Sequence, residues 1–189
     1  MNWRNSTSAY GGVSIAMHWL MAALVLAMFG WGLWMRSLGY YDVWYHRAPE
    51  WHKSLGMVLL LMLELRWCWR MWNIRPDLMG VAWEQAVALL VHRLHYLLLL
   101  ALMLTGYLIP TAQGVGIDVW GWVTVPAFIA LDTQTTEWVG IAHRYLAWSV
   151  VLLASVHAAA ACKHHWLDKD MTLRRMLGIT PKHQHKENI

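Results

Sequence analysis

Four long apolar segments, separated by shorter polar stretches, dominate the pattern of this chain. They lie at residues 13–35, 54–72, 85–109 and 140–162. A helix needs about 20 mostly apolar residues to cross roughly 30 Å of hydrocarbon, and only helices or closed barrels satisfy their backbone there. The segments are too long and too uniformly apolar for barrel strands. The pattern therefore predicts an all-α integral membrane protein, a four-transmembrane-helix bundle in one domain (1–179) with a polar tail (180–189).

Charged residues inside these segments are few. The second segment carries Glu64, Arg66 and Arg70 near its end, and the third carries Arg93 close to its start. A charge inside a membrane span is costly and usually paired. We therefore expect Glu64 to be a buried carboxylate paired with Arg66 or Arg70, in preference to a proton relay.

Composition supports a membrane protein. Of 189 residues, 58% are hydrophobic and 14% are charged, and the mean hydropathy is +0.34, whereas soluble domains carry about 25% charged residues. The 15 tryptophans fall mostly near segment ends, as is typical of residues at bilayer interfaces. The net charge of +4 does not indicate nucleic-acid binding, because the basic residues also cluster at segment ends. The first segment is longer than the apolar region of a signal peptide, so we expect it to be retained.

The distribution of basic residues predicts the orientation. With four spans, eleven of the 15 Lys and Arg residues would lie on the side of the two termini, and four on the other side. The positive-inside rule then places both termini in the cytoplasm. Residues 110–139 become a long outer loop, whose apolar stretch VPAFIA is expected on the membrane surface. The sequence DKDMTLRRMLGI predicts a short amphipathic helix on the cytoplasmic leaflet, and Cys68 and Cys162 are expected to be free thiols.

Histidine is the candidate functional residue. Of the 11 histidines, six lie inside or at the edge of apolar segments: His18, His52, His92, His95, His143 and His157. An ionisable group inside a span is a functional hypothesis by default; the alternative is an imidazole bonded to a neighbouring helix carbonyl. Fourteen residues separate His143 from His157, which is about 21 Å along a helix. This is also four turns at 3.5 residues per turn, so both rings project from one face, one near each membrane surface.

Depth predicts partners for these two rings. His18 lies near the cytoplasmic end of the first segment and matches His157, whereas His52 lies at the outer start of the second segment and matches His143. His92 lies at a similar depth, so depth alone does not exclude it as the partner of His18. For His92 and His95 we keep three interpretations: contact with a cofactor carboxylate, contact with a quinone, or simple packing.

Two imidazoles at each depth indicate a metal cofactor. Imidazole suits Zn, Cu, Fe and Ni, but a structural zinc site requires four ligands and usually includes thiolate. Two axial imidazoles leave four in-plane positions for a porphyrin, and helix bundles bind haem in their cores. Small residues in GWG (30–32) and AAAAC (158–162) would let a flat ring approach closely. We therefore predict two b-type haems, with six-coordinate iron bound by His18, His157, His52 and His143.

Several short sequences resemble one protein family. They are SIAMHWL around His18, HKSLGM from His52, VHRLHYLLLLAL in the third segment, AHRYLAWSV around His143, and VHAAAACKHHWLDKDMTLRRM from His157. Together they resemble the bacterial di-haem cytochrome b561 family, which is related to the cytochrome b subunits of nickel–iron hydrogenases and formate dehydrogenases. The resemblance implies a protein of the bacterial inner membrane. It also implies His18 and His157 on a cytoplasmic haem, and His52 and His143 on an outer haem.

The resemblance also implies an activity. Some members are superoxide oxidases, which pass an electron from superoxide at the outer face through both haems to ubiquinone near the cytoplasmic face. The position matching His164 lies near the quinone in those members, and an imidazole is a suitable proton donor. Lys53 and Arg144 stand beside the proposed outer ligands, where they would steer the superoxide anion, bond haem propionates, or do both.

Other functions stay open at this stage. The two outer loops differ from those of the shorter superoxide-oxidising members and resemble a sister branch of the family. A member of that branch would oxidise quinol and reduce a periplasmic redox protein, or would anchor a dehydrogenase or hydrogenase in the membrane. A third interpretation, from another class of protein, is a metal-ion or proton transporter that uses the histidines.

Overall fold

The computed structural model describes residues 2–179, so the polar tail predicted at 180–189 lies outside the described residues. Along the described chain the helices are α1 (Gly12–Met35), α2 (Arg47–Trp72), α3 (Ala82–Thr111), α4 (Thr133–Trp166) and α5 (Thr172–Met176). Two short strands, β1 (Ile117–Val119) and β2 (Val123–Val125), pair antiparallel in a hairpin between α3 and α4.

The four long helices pack side by side. α3 packs most extensively on α4, and α2 contacts both α1 and α3. The few fully buried apolar side chains, which include Met21, Leu59 and Val150, face the interior, whereas large apolar side chains such as Leu97 and Leu152 are exposed on the outside. An outer surface of apolar side chains is compatible with a lipid bilayer, because lipid tails are as apolar as a neighbouring leucine side chain.

Length and composition identify three helices able to cross a membrane among residues 2–179, namely α1, α3 and α4. α2 is long enough, with 26 residues, but it is less apolar because of its charged residues: Arg47, Glu50, Lys53, Glu64, Arg66 and Arg70. The prediction of an integral membrane helix bundle is thus supported for three helices. The prediction that α2 is a fourth span stays a prediction.

Two helices begin earlier than their apolar segments. α2 begins at residue 47 in place of 54, and α4 at 133 in place of 140, so each gains two polar turns. Asp132 caps α4 by accepting a hydrogen bond of 2.9 Å from the amide of Thr135, which satisfies one of the free amides at the helix start. Hydropathy alone does not detect such turns. As a consequence, His52 lies inside α2 rather than at its edge.

The loop between α3 and α4 is shorter than the 110–139 predicted, and it contains two strands. Residues 117–125 form the β1–β2 hairpin, and Ile117 and Val119 are buried. Ser54 of α2 donates a hydrogen bond of 3.2 Å to the carbonyl of Asp118, so the hairpin covers the start of α2. We call this the hairpin end of the bundle. Phe128 in the VPAFIA stretch is exposed, and its position on a membrane surface stays a prediction.

The opposite end, which we call the terminal end, is closed by residues 2–11, the α2–α3 connection and α5. Arg175 of α5 is 6% exposed. Its guanidinium donates to the carbonyls of Ser8 at 3.4 Å and Asp77 at 2.9 Å. The predicted short basic helix is thus present as α5, with five residues. Its Arg175 is enclosed by protein because three chain segments meet around it, and the position of α5 on the cytoplasmic leaflet stays a prediction.

The predicted pairing of Glu64 is wrong. Glu64 is exposed on α2, while Arg66 and Arg70 are half-buried. Within residues 2–179, each ion pair of a carboxylate involves Lys163 or His164. Residues two apart on a helix do not face each other, so Glu64 and Arg66 project in different directions.

The two cysteines agree with prediction. Cys68 and Cys162 are both free thiols, the first exposed and the second half-buried.

Candidate functional site

Two pairs of imidazoles face each other inside the bundle, one pair near each end. At the hairpin end, the ring centroids of His52 on α2 and His143 on α4 lie 6.4 Å apart, with their planes at 78°. At the terminal end, the centroids of His18 on α1 and His157 on α4 lie 6.3 Å apart, with planes at 70°. The structure thus brings together the same pairs that depth along the helices predicts.

The spacing within each pair suits two ligands on opposite sides of one metal. A metal–imidazole bond is about 2.0–2.1 Å long, and the ring centre lies roughly 1 Å beyond the nitrogen, so two trans ligands have centroids about 6 Å apart. Both observed separations agree with this value. The separation within each pair would therefore allow its two imidazoles to hold one metal cofactor between them.

An apolar cavity separates His52 from His143. Its volume is about 240 Å³, and its walls are mostly apolar, with Lys53 and Tyr107 as polar exceptions. Within residues 2–179, Nδ1 of His52 is buried without a hydrogen-bond partner. An apolar cavity with two imidazoles on its walls is the environment that an apolar metal macrocycle requires.

The ring of His143 is oriented by α3. Its Nδ1 lies 3.1 Å from the carbonyl oxygen of Leu102 and 3.1 Å from Oγ1 of Thr105. A carbonyl oxygen only accepts, so Nδ1 of His143 must carry the proton. Nε2 of His143 then keeps its lone pair, which a metal ligand requires. The hydrogen bond to the carbonyl of Leu102 fixes this tautomer.

Glycines make room for both rings at the hairpin end. A Cβ atom at Gly106 of α3 would lie 3.0 Å from Cε1 of His143, and one at Gly32 of α1 would lie 3.4 Å from Cε1 of His52. The first distance is closer than ordinary van der Waals contact. Gly106 is therefore required for the close approach of α3 to His143, and sequence reasoning did not single it out.

The terminal end holds more than one pair. The centroids of His92 and His95 each lie 5.5 Å from that of His157, so four imidazoles meet there. His95 donates from Nδ1 to the carbonyl of Val91 at 2.9 Å, which ties it to its own helix. Arg66 of α2 places Nη2 at 3.2 Å from Nδ1 of His18. The structure is compatible with all three interpretations of His92: contact with a cofactor carboxylate, contact with a quinone, or packing.

The paired histidines inside the bundle do not belong to a compact group of ligands for a bare metal ion. In the described part of the chain, one group of three possible ligands has atoms within 4.8 Å of one another: Glu84, His164 and Asp168. The ammonium of Lys163 already binds Glu84 at 2.5 Å and Asp168 at 2.7 Å. Lys163 thus supplies the positive charge that a cation would bring.

His164 lies in the last turn of α4, about two turns beyond His157. It is outside the four-imidazole cluster. Its Nδ1 lies 2.8 Å from Oδ2 of Asp170 and 3.0 Å from Oδ2 of Asp168. Burial by itself would raise the pKa of Asp170, but hydrogen bonds from Thr172 and from His164 hold it below its usual value. Asp170 is therefore a carboxylate that fixes the orientation of the His164 ring.

Lys53 and Arg144, the two basic residues predicted at the outer site, differ from each other in exposure. Lys53 is half-buried and lines the cavity beside His52. Arg144 is exposed, and its guanidinium lies 5.5 Å from the ring centroid of Tyr145. The two cations thus lie on different helices, one inside the cavity wall and one on the surface.

Replacing Gly106 with Val should disturb the hairpin-end site, because the new side chain must displace His143. We expect lower haem content or an altered haem absorption spectrum in the purified protein. Gly30→Val is the matched control, since a Cβ at Gly30 on α1 meets nothing within 4 Å. Equal haem content and identical spectra in the two variants would contradict this role of Gly106.

Comparison with known proteins identifies the family. The family model for prokaryotic cytochrome b561 matches residues 9–178. Over 180 residues the chain is 46% identical to cytochrome b561 homolog 2 of Escherichia coli (strain K12), which covers 94% of this chain and 96% of that relative. It is 31% identical over 96 residues to cytochrome b561 homolog 1 of the same organism, which is 51% of this chain and 54% of that relative.

These matches confirm the resemblance seen in the short sequences and agree with the apolar helices and their paired imidazoles. The family match spans all four long helices, and the first relative is matched over nearly its whole length. The chain therefore belongs to the prokaryotic cytochrome b561 family, a family of helical membrane proteins that bind b-type haem and transfer electrons across the membrane.

Proposed function

We propose that this protein carries electrons through two b-type haems, from superoxide at the outer face of the bacterial inner membrane to ubiquinone near the cytoplasmic face. His52 and His143 would bind the outer haem, and His18 and His157 the cytoplasmic haem. Both termini would lie in the cytoplasm, so the hairpin end faces outward.

One observation carries the proposal. Two imidazole pairs with centroid separations of 6.3 and 6.4 Å lie near opposite ends of the bundle. Their α4 members are 14 residues apart, which is about 21 Å along the helix. Two equivalent sites separated by most of the bilayer thickness suit electron transfer across it, and they do not suit a transporter, which needs one site open to each side in turn.

α2 would be the fourth span. A helix of 26 residues is about 39 Å long, enough for the hydrocarbon core of about 30 Å. Its charges lie in its first turns or its last turns, and residues 55–63 between them are uncharged. Long Arg and Lys side chains near helix ends can extend toward polar surroundings, so this distribution is compatible with a span.

A haem held by two imidazoles would supply a reversible one-electron couple. The chain holds the imidazoles, excludes water and sets the polarity of the surroundings. Apolar cavity walls exclude water from the site between His52 and His143, and the carbonyl of Leu102 holds His143 in the tautomer that presents Nε2. Exchange of electrons with substrates then takes place at the edges of the sites.

At the outer face, positive charge would attract the superoxide anion. Lys53 and Arg144 directly follow the two proposed outer ligands, His52 and His143. Electrostatic attraction of an anion raises its association rate and weakens with salt. Arg144 is exposed and would act on approaching superoxide, whereas Lys53 would act at the cavity.

In the overall reaction, two superoxide anions at the outer face would give two O₂, and one ubiquinone at the cytoplasmic face would take up the two electrons and two protons to give ubiquinol. His164 would donate protons in this step. Its Nδ1 is held by Asp170 and Asp168, so Nε2 is the nitrogen that can exchange a proton with a neighbouring group. Proton uptake at this face would balance the two electrons that reach the quinone.

A second function, quinol oxidation with transfer to a periplasmic redox protein, is favoured by the hairpin. Trp122 at its tip is 85% exposed, and exposed aromatic side chains are common at interfaces between proteins. In that case electrons would pass through the same sites in the opposite direction.

The ligand assignment predicts different results for two histidines on facing helices. His157→Ala should bind about one haem per chain in place of two, because one axial ligand is lost. His92→Ala should keep both, since His92 is a neighbour rather than a ligand. Haem content is measured by the pyridine haemochrome assay together with protein concentration. Loss of one haem from His92→Ala, with both retained in His157→Ala, would show that the pairing is wrong.

The choice of donor predicts a distinct kinetic result. In stopped-flow measurements, superoxide should reduce the haems, and added ubiquinone analogue should reoxidise them. Lys53→Gln should slow reduction about threefold to tenfold and weaken its dependence on salt. Arg36→Gln is the control, because Arg36 is exposed at the same end but follows no proposed ligand. Reduction by quinol with none by superoxide would exclude superoxide and favour the second function.

A further inference from the structure

Two arginines of α2 lie beside the four-imidazole cluster. Arg66 and Arg70 are both half-buried and stand one turn apart on the same face of the helix. Their guanidinium carbons lie 5.9 and 5.3 Å from the ring centroid of Tyr96 on α3. Arg66 also places Nη2 at 3.2 Å from Nδ1 of His18, so it points into the cluster rather than toward lipid.

Neither arginine has an anionic partner within residues 2–179, where every carboxylate ion pair involves Lys163 or His164. Glu64, the acidic residue closest to them along α2, is exposed. A guanidinium removed from water is costly unless it is paired, and the face of Tyr96 compensates part of this cost. The cluster thus carries positive charge that no carboxylate of residues 2–179 neutralises.

The contact between Arg66 and His18 is incompatible with a metal on His18. A guanidinium only donates hydrogen bonds, so Nδ1 of His18 accepts and the proton lies on Nε2. If Nε2 of a neutral imidazole binds a metal, the proton moves to Nδ1 and two donors face each other. If Nδ1 binds the metal, its lone pair is no longer available to Arg66. Either way, Arg66 must find another acceptor when the site is filled.

We propose that Arg66, with Arg70 beside it, binds a carboxylate of the haem at the terminal end and so raises the reduction potential of that haem. Haem b carries two carboxylates on one edge, and a guanidinium binds a carboxylate through two parallel hydrogen bonds. The ion pair between Arg66 and the carboxylate would orient the haem in its pocket. The positive charge of the guanidinium would favour the reduced state of the iron. This inference rests on the proposed function, specifically on a haem between His18 and His157.

The test is a potentiometric titration of the purified holoprotein in maltoside detergent, which contains no phosphate. In Arg66→Gln, the equilibrium constant for reduction of one haem should fall about tenfold, which for a one-electron couple is about 59 mV. The other haem should be unchanged. Arg66→Lys keeps the charge and should restore more than half of the shift, and Arg70→Gln should give a smaller shift in the same direction. Arg93→Gln is the control, because Arg93 is exposed on α3 next to His92.

Each outcome has a defined meaning. Loss of one haem from Arg66→Gln, with recovery in Arg66→Lys, would also support binding of the carboxylate by the charge. Unchanged potentials in a protein with two haems would overturn this inference and leave the proposed function standing. A higher potential in Arg66→Gln would overturn it too, because it would mean that Arg66 stabilises a deprotonated His18. A shift that appears only after phospholipid is added would assign the anion to lipid. Wild-type protein with no haem at this end would refute the proposed function itself.

Discussion

An imidazole inside hydrocarbon needs a partner for each ring nitrogen, and the structure depends on how that need is met. Unsatisfied polar groups are costly where no water is available. Nδ1 of His143 and Nδ1 of His95 donate to helix carbonyls, and His18 accepts from Arg66. Nε2 of His143 is thus left for a ligand, whereas His18 must give up its contact with Arg66 before it can bind one.

This requirement also explains the close packing around α4. His143 and His157 both project from that helix, and each meets a histidine from α2 or α1. Because both α4 rings point to the same side of the helix, α1, α2 and α3 must pack at a fixed distance from α4. Gly106 and Gly32 supply that distance at the hairpin end, because any side chain there would meet an imidazole.

The sequence predicts the long helices from hydropathy, and the imidazole pairs from depth together with the shared face of α4, since depth alone does not separate His157 from His92. It does not predict where α2 and α4 begin, since their first turns are stabilised by a cap at Asp132 and by contacts with the hairpin rather than by apolar residues. The predicted ion pair of Glu64 is wrong because the prediction used the charges of the residues and not the directions in which their side chains project from α2. Arg66 and Leu102 act through contacts with residues distant in sequence, which no local pattern shows. Asp170 contacts His164 six residues away, across the end of α4, where the helical period no longer applies.

The central claim is that each pair of imidazoles binds one haem from opposite sides. The ring planes are inclined at 70° and 78° within the two pairs, and nearly perpendicular axial imidazoles give ferric haem a highly anisotropic low-spin signal. Electron paramagnetic resonance of the oxidised protein measures this directly. We expect two highly anisotropic low-spin centres per chain and no high-spin iron. A high-spin ferric signal of comparable intensity, or one low-spin centre per chain, would contradict it.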